Sequence, residues 1–328
     1  MRPLLARLRA PISPEAYRRI TLVALFFLGA IIVTGAAVRL TGSGMGCPTW
    51  PSCEDGSLAP RGATGHHGWI EFLNRLVTGV VSVAVVLAVL GAHRRRPYRR
   101  DLTRWAWGLV AGVFAQALLG GLVVILHVAP IAVAGHYLLS AVLMWNGVVL
   151  HHKAGQPDGA PVPSAQAATA PQPLLARSRA MVALAGAVLV TGTLVTGAGP
   201  HGGDEAADRL DLAVVTVARV HSLTVWAFLA VALLVLVAAE RGGAAPEVRG
   251  TGRVLLGLVV AQGGLGYLQY LTGVPEILVG GHVLGSVLVW VAALRFHLLL
   301  ADGATAPALA RRRRSAAPER SPVAGATT

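Results

Sequence analysis

Eight apolar segments, each about 20 residues long, dominate the chain: 20–40, 69–90, 105–126, 131–150, 180–199, 213–239, 254–272 and 277–300. A segment of that length is what an α-helix needs to cross the hydrocarbon core of a bilayer. Inside hydrocarbon every backbone N–H and C=O must be paired within the structure, and a continuous helix does this segment by segment. The sequence therefore predicts an all-α polytopic membrane protein with eight transmembrane helices. With 54% hydrophobic residues and only 13% charged ones, the composition excludes an ordinary soluble enzyme. No small-residue cleavage site follows the first segment before the next polar loop, so it reads as a retained anchor and not as a signal peptide.

The net charge of +13 is distributed by topology. Basic residues gather at Arg2, Arg7, Arg9, Arg18 and Arg19, in residues 93–100, at Lys153, Arg177 and Arg179, at Arg241 and Arg249, and at Arg311–Arg314. These are the two ends and alternate loops, the positive-inside pattern, which places both termini in the cytoplasm of a plasma-membrane protein. That accounts for the charge without nucleic acid, although an arginine run can also dock anionic lipid or a partner. The two cysteines, Cys47 and Cys53, both fall in the first outside loop, where a disulfide is expected. It would shape the loop or relay electrons.

The chain is built twice. "QALLGGLVVILHVAPIAVAGHYLLSAVLMW" from Gln116 and "QGGLGYLQYLTGVPEILVGGHVLGSVLVW" from Gln262 share Gln, small residues, a Pro-containing turn, Gly-His and a closing Trp. His136 and His282 each follow their Gln by 20 positions, an offset of 146 between the copies. Upstream, "VTGAAVRLTGSGMG" from Val33 resembles "VTGTLVTGAGPHGG" from Val190. An even helix count per copy gives a parallel repeat with both sites on one side of the membrane. The expected organisation is an N-terminal four-helix half (1–152), a Pro- and Ala-rich linker (153–179), a C-terminal half (180–300) and a basic, disordered tail (301–328), with the halves related by a pseudo-twofold.

The histidines sort by position. His93, His151, His152 and His297 lie at cytoplasmic helix ends, where a ring reaches water. His127 and His201 lie in outside loops and are expected to face solvent. His136, His221 and His282 are different: each falls in the first two turns of an even-numbered helix, at one common depth. Facing helices of a bundle supply cofactor ligands in this way, and paired imidazoles suit haem iron. The plainer alternative is a hydrogen bond to a neighbouring helix. A shift close to the repeat offset carries His221 onto Asn74 or Leu73, with Glu71 one turn before Asn74 and Arg75 beside it. A charged group in a membrane span costs at least about 2.5 kcal/mol and usually has a task.

"TGSGMGCPTWPSC" (41–53), "WIEFLNRLVTG" (69–79), "TGTLVTGAGPHGGD" (191–204) and the two Gly-His helix openings resemble the heme A synthase family across almost the whole membrane portion. The resemblance implies an eight-helix bundle that oxidises a ring methyl of haem O to the formyl group of haem A by successive hydroxylations. It implies a haem b cofactor on His221 and His282, a haem O substrate on His136, Glu71 as the essential carboxylate, and Cys47 with Cys53 as the outer-loop pair. Many members carry histidine where Asn74 stands. Either the substrate iron is five-coordinate here, or another ring, His67 before His66, takes that side. Arg75, Arg39 and Arg219 are candidate partners for haem propionates, and Glu71–Arg75 can equally be a simple i, i+4 anchor. Expected partners are haem O synthase, oxidase assembly factors, and quinone or another electron acceptor. Rival readings are a dihaem membrane cytochrome and a transporter with repeat symmetry. The first leaves Glu71 and Asn74 unexplained, and the second fits poorly with continuous helices whose polar groups sit at one end.

Overall fold

The computed structural model describes residues 10–54, 56–159 and 172–315. Its regular structure is helical: α1 (Pro14–Leu40), α2 (Gly65–Arg94), α3 (Arg100–Ile125), α4 (Pro130–Ala154), α5 (Gln172–Ala198), α6 (Val214–Arg241), α7 (Pro246–Leu271) and α8 (Glu276–Ser315). All eight are long and apolar enough to cross a membrane. Large apolar side chains such as Phe26, Phe114, Leu223 and Ile277 stand exposed on the outside of the bundle, as a lipid-facing surface requires. The chain is a multi-pass membrane protein.

Starts of helices follow local chemistry. Ser13 accepts the Ala16 N–H at the head of α1, and Pro14, Pro130 and Pro246 occupy first-turn positions where a missing N–H is harmless. Two helices outrun their expected bounds. α5 begins at Gln172, inside the stretch expected to be linker, and the α8 backbone continues to Ser315, inside the stretch expected to be disordered. Both extensions are rich in Ala, Leu and Arg, strong helix formers that continue a helix already nucleated. The rest of the linker, residues 160–171, and the tail from residue 316 lie outside the described residues.

Each half closes as a ring. α1 packs on α2, α2 on α3, α3 on α4 and α4 back on α1, and α5 to α8 repeat the order. Between the halves, α1 meets α8, α4 meets α5, and α4 meets α8. Exchanging the halves maps this set onto itself, which is consistent with a pseudo-twofold. Each half has its own core, one around Tyr17, Leu28, Leu109 and Met144, the other around Met181, Phe228, Leu255 and Phe296. Across the seam Tyr137 Oη and Ser286 Oγ are 2.9 Å apart, and Trp290 donates to the Ala141 carbonyl at 2.9 Å.

The repetition extends to single hydrogen bonds. The turn before α4 closes with Val128 N–H on Val123 O at 2.8 Å, and the turn before α8 with Val274 N–H on Gln269 O at 2.8 Å. Both valines take positive φ, 54° and 62°, which a β-branched residue adopts only where the surroundings impose it. Gln116 donates to the His136 carbonyl at 3.1 Å and Gln262 to the His282 carbonyl at 2.7 Å. At the opposite end of the bundle, His151 Nδ1 lies 3.0 Å from Thr21 Oγ1 and His297 Nδ1 lies 2.9 Å from Ser178 Oγ. These two rings are therefore not reaching for water, as expected of them. A half-buried ring nitrogen needs a partner, and a hydroxyl on the facing helix supplies it.

The face bearing Cys47 and Cys53 is strapped between halves. Gly44 N–H donates to Gly203 O at 2.7 Å, and Arg39 Nη1 donates to the His201 carbonyl. His201 Nε2 lies 2.8 Å from the Val274 carbonyl. The expectation that His201 faces solvent thus fails, because its ring is drawn in to satisfy the exposed carbonyl of the α7–α8 turn.

Candidate functional site

In the second half, the rings of His221 on α6 and His282 on α8 face one another with centroids 6.5 Å apart and planes at 70°. The Thr191 hydroxyl on α5 donates back to the Ala187 and Val188 carbonyls at 3.0 and 3.1 Å. Having spent its proton, it accepts from His221 Nδ1 at 3.0 Å. The ring proton is thereby placed on Nδ1, leaving the Nε2 lone pair for a metal, as when an imidazole ligand donates its other ring N–H to a protein oxygen. Small residues make room for the rings: a Cβ at Gly192 would lie 3.3 Å from His221 Cε1, and one at Gly266 would lie 3.2 Å from His282 Cε1. The Nδ1 of His282 is buried without a hydrogen-bond partner among the described residues. Two metal–imidazole bonds of about 2 Å, plus about 1 Å from each nitrogen to its ring centre, total about 6 Å. The gap between His221 and His282 is the size that one metal held by both rings would need.

The first half repeats half of this arrangement. His136 on α4 rests its Cε1 against Gly120, 3.3 Å from where a Cβ would be, and its Nδ1 is buried and unpaired among the described residues, as in His282. On the opposing helix stands Asn74. Thr34 Oγ1 donates to Asn74 Oδ1 at 2.7 Å, the counterpart of the Thr191–His221 contact, since Thr34 and Thr191 occupy the same place in the "VTG" repeat. A Cβ at Gly35, the counterpart of Gly192, would meet nothing within 4 Å among the described residues. His67 sits on the first turn of α2, with Nδ1 2.9 Å from Ser43 Oγ and its ring 4.0 Å from that of His66.

Glu71 is buried, and both of its oxygens are used. Oε2 accepts the Cys47 N–H at 2.6 Å, and Oε1 accepts Arg75 Nε at 3.1 Å and Nη2 at 2.6 Å. Arg75 also donates to the carbonyls of Cys47, Thr49 and Ser52 at 3.2, 3.3 and 2.9 Å. The pair therefore clamps the loop that the Cys47–Cys53 disulfide closes. Gly46 lets that loop lie on α2, because a Cβ there would come within 2.2 Å of the His67 carbonyl. Beyond it, the indole of Trp50 packs on Gly121, one residue from the Gly120 that seats His136. Arg39 is committed to His201, and Arg219 is exposed.

The three histidines, Glu71 and Asn74 are the positions the sequence singles out, and the structure brings His221 to His282 and Asn74 to Thr34. Thr34 and Thr191, the glycines behind the rings and the seat of Trp50 emerge only from the structure. The "VTG" match held the signal for the threonines. Nothing in the order of residues marks where Trp50 lands.

An eight-helix membrane bundle in which two imidazoles face one another in one half, and a modified copy of that arrangement stands in the other, is built to hold a metal centre between its helices. Residues 18–294 match the cytochrome oxidase assembly protein family, COX15-CtaA, and the chain belongs to that family. It is also similar to curated proteins named heme A synthase. The one from Lysinibacillus sphaericus is 34% identical over 113 residues, covering 34% of this chain and 36% of the relative. That from Bacillus licheniformis is 32% identical over 124 residues, 38% of this chain and 39% of the relative, and that from Geobacillus kaustophilus is 34% identical over 96 residues, 29% of each. The matched stretches span about a third of the length of these relatives.

Proposed function

We propose that the chain is a haem-dependent oxidoreductase that converts haem O to haem A by oxidising a ring methyl to a formyl group, the activity named for its relatives. The observation that carries the reading is the His221–His282 pair at 6.5 Å, oriented by Thr191 and echoed by His136 in the other half. In this reading His221 and His282 hold a haem b cofactor by Nε2. When bound, that group takes up electrons singly without changing ligands. His136 holds the iron of the haem O substrate. Glu71, the buried carboxylate of the first half, accepts protons released as the methyl is oxidised, and with Arg75 keeps the disulfide loop over the site. A guanidinium with this many backbone carbonyls to serve is better suited to holding the loop than to meeting a propionate. The Cys47–Cys53 bond is a staple in this reading. The site face is the outer one, both termini are cytoplasmic, and the membrane is the plasma membrane. Electrons pass to quinone or another acceptor, and haem O arrives from its synthase among other oxidase assembly factors.

The discriminating experiment is extraction of the pigments of the purified protein, co-produced with a haem O source. Haem O together with hydroxylated and formyl products supports the reading. Protohaem alone would make the protein a dihaem cytochrome instead.

A further inference from the structure

We infer that the first-half site keeps the Asn74 side of its iron position open for a diatomic ligand, with the Asn74 amide as the hydrogen-bond donor facing it. This rests on the proposal that His136 holds a porphyrin iron. The internal repeat makes the comparison atom by atom. In the second half, Thr191 Oγ1 fixes His221 Nδ1 at 3.0 Å, while in the first Thr34 Oγ1 fixes Asn74 Oδ1 at 2.7 Å. Oδ1 therefore stands where Nδ1 stands. Cβ and Cγ are common to both side chains, and Nδ2 takes the place of Cδ2. What asparagine lacks is Cε1 and Nε2.

Those two atoms are accounted for on the facing helix. His221 Cε1 is the atom that packs on Gly192, 3.3 Å from a Cβ built there. The same construction at Gly35 meets nothing within 4 Å among the described residues. α1 has therefore not closed in to fill the shortened side chain, and room for two heavy atoms is left where the coordinating nitrogen and its neighbour would be. The amide stops short of a metal that an imidazole would reach. With Oδ1 accepting from Thr34, Nδ2 keeps both of its hydrogens for a group in that room. A diatomic ligand bound end-on has two heavy atoms and an acceptor at its far end, and it matches in size and polarity. A free imidazole has five ring atoms and does not. His67 lies seven positions earlier on this helix, with Nδ1 2.9 Å from Ser43 Oγ and its ring against that of His66.

The test uses the purified full-length protein loaded with protohaem. Carbon monoxide is added after reduction and cyanide before it, and the Soret band is followed. The low-spin signal of the His221–His282 site serves as the control for folding. The expected result is carbon monoxide uptake by the first-half haem only, lost in both His136→Ala and Asn74→His. Asn74→Ala should bind cyanide about tenfold more weakly, the scale of one lost hydrogen bond. Millimolar imidazole should leave the wild-type spectrum unchanged and convert Asn74→Gly to low spin. A first-half haem that is removed by His136→Ala yet takes up no carbon monoxide in the wild type overturns the inference and leaves the proposed function standing. Uptake that persists in Asn74→His overturns it too. Unchanged haem content in a folded His136→Ala protein removes the first-half haem itself, and both readings with it.

Discussion

Thr191 Oγ1 and His221 Nδ1 lie 3.0 Å apart, and the direction of that hydrogen bond is fixed by the hydroxyl's own donation to the α5 backbone. One threonine thus sets which imidazole nitrogen carries the proton and which is left for a metal. Thr191→Val keeps the shape and removes the acceptor. Orienting partners of this kind contribute about 10- to 100-fold in metal affinity, so the variant should lose haem from the second half by about that factor in competition with apomyoglobin. Thr191→Ser should retain it.

His221→Ala and His282→Ala should each abolish the low-spin, doubly imidazole-ligated signal of the resident haem by electron paramagnetic resonance. If both variants keep that signal, the ligand pair is misassigned.

The glycines behind the rings make a further pair of variants. A Cβ at Gly120 or Gly266 would come within 3.3 or 3.2 Å of a histidine Cε1, so a larger side chain must displace the ring. Gly266→Val should deplete haem from the second half alone, and Gly120→Val from the first half alone. Haem stoichiometry per protein reads both, and equal loss from the two halves in either variant would contradict independent seating.

In the proposed function Glu71 has two separable roles. Glu71→Ala removes the acceptor of the Cys47 N–H and the partner of Arg75. Breaking a buried pair from one side costs about 3–5 kcal/mol, and the loss falls on the disulfide loop. The loop should become more readily cleaved by protease, while resident haem stays in place and formyl product stops. Glu71→Gln retains an acceptor for the loop, so protease resistance should return without formyl formation. Normal haem A yield in Glu71→Gln would remove the proton-accepting role.

The two levels of the repeat differ in how far they can be read without coordinates. Apolar length is a local property, so all eight helices were legible, and the Gln116–His136 and Gln262–His282 spacings held because each lies within one helix–turn–helix unit. The offset locates the counterpart of His221 only to within a residue or two, because Asn74 and His221 are 147 apart where His136 and His282 are 146 apart, so the copies slip by one position between those helices. α5 and α8 run past their apolar segments because a polar composition does not end a helix where helix propensity carries the chain further. The His201 ring and the Trp50 indole were illegible for another reason. Their partners, the Val274 carbonyl and the Gly121 backbone, are brought near only when helices distant in sequence close into a ring.

Gly121 is the repeat counterpart of Tyr267, whose hydroxyl reaches Ser222 at 3.1 Å beside His221. One copy furnishes that flank from its own helix, while the other leaves a bare stretch of backbone and borrows an indole from a cross-linked loop. A borrowed wall can be remodelled or withdrawn without disturbing any span, so the two copies of the scaffold are free to diverge in what flanks their histidines.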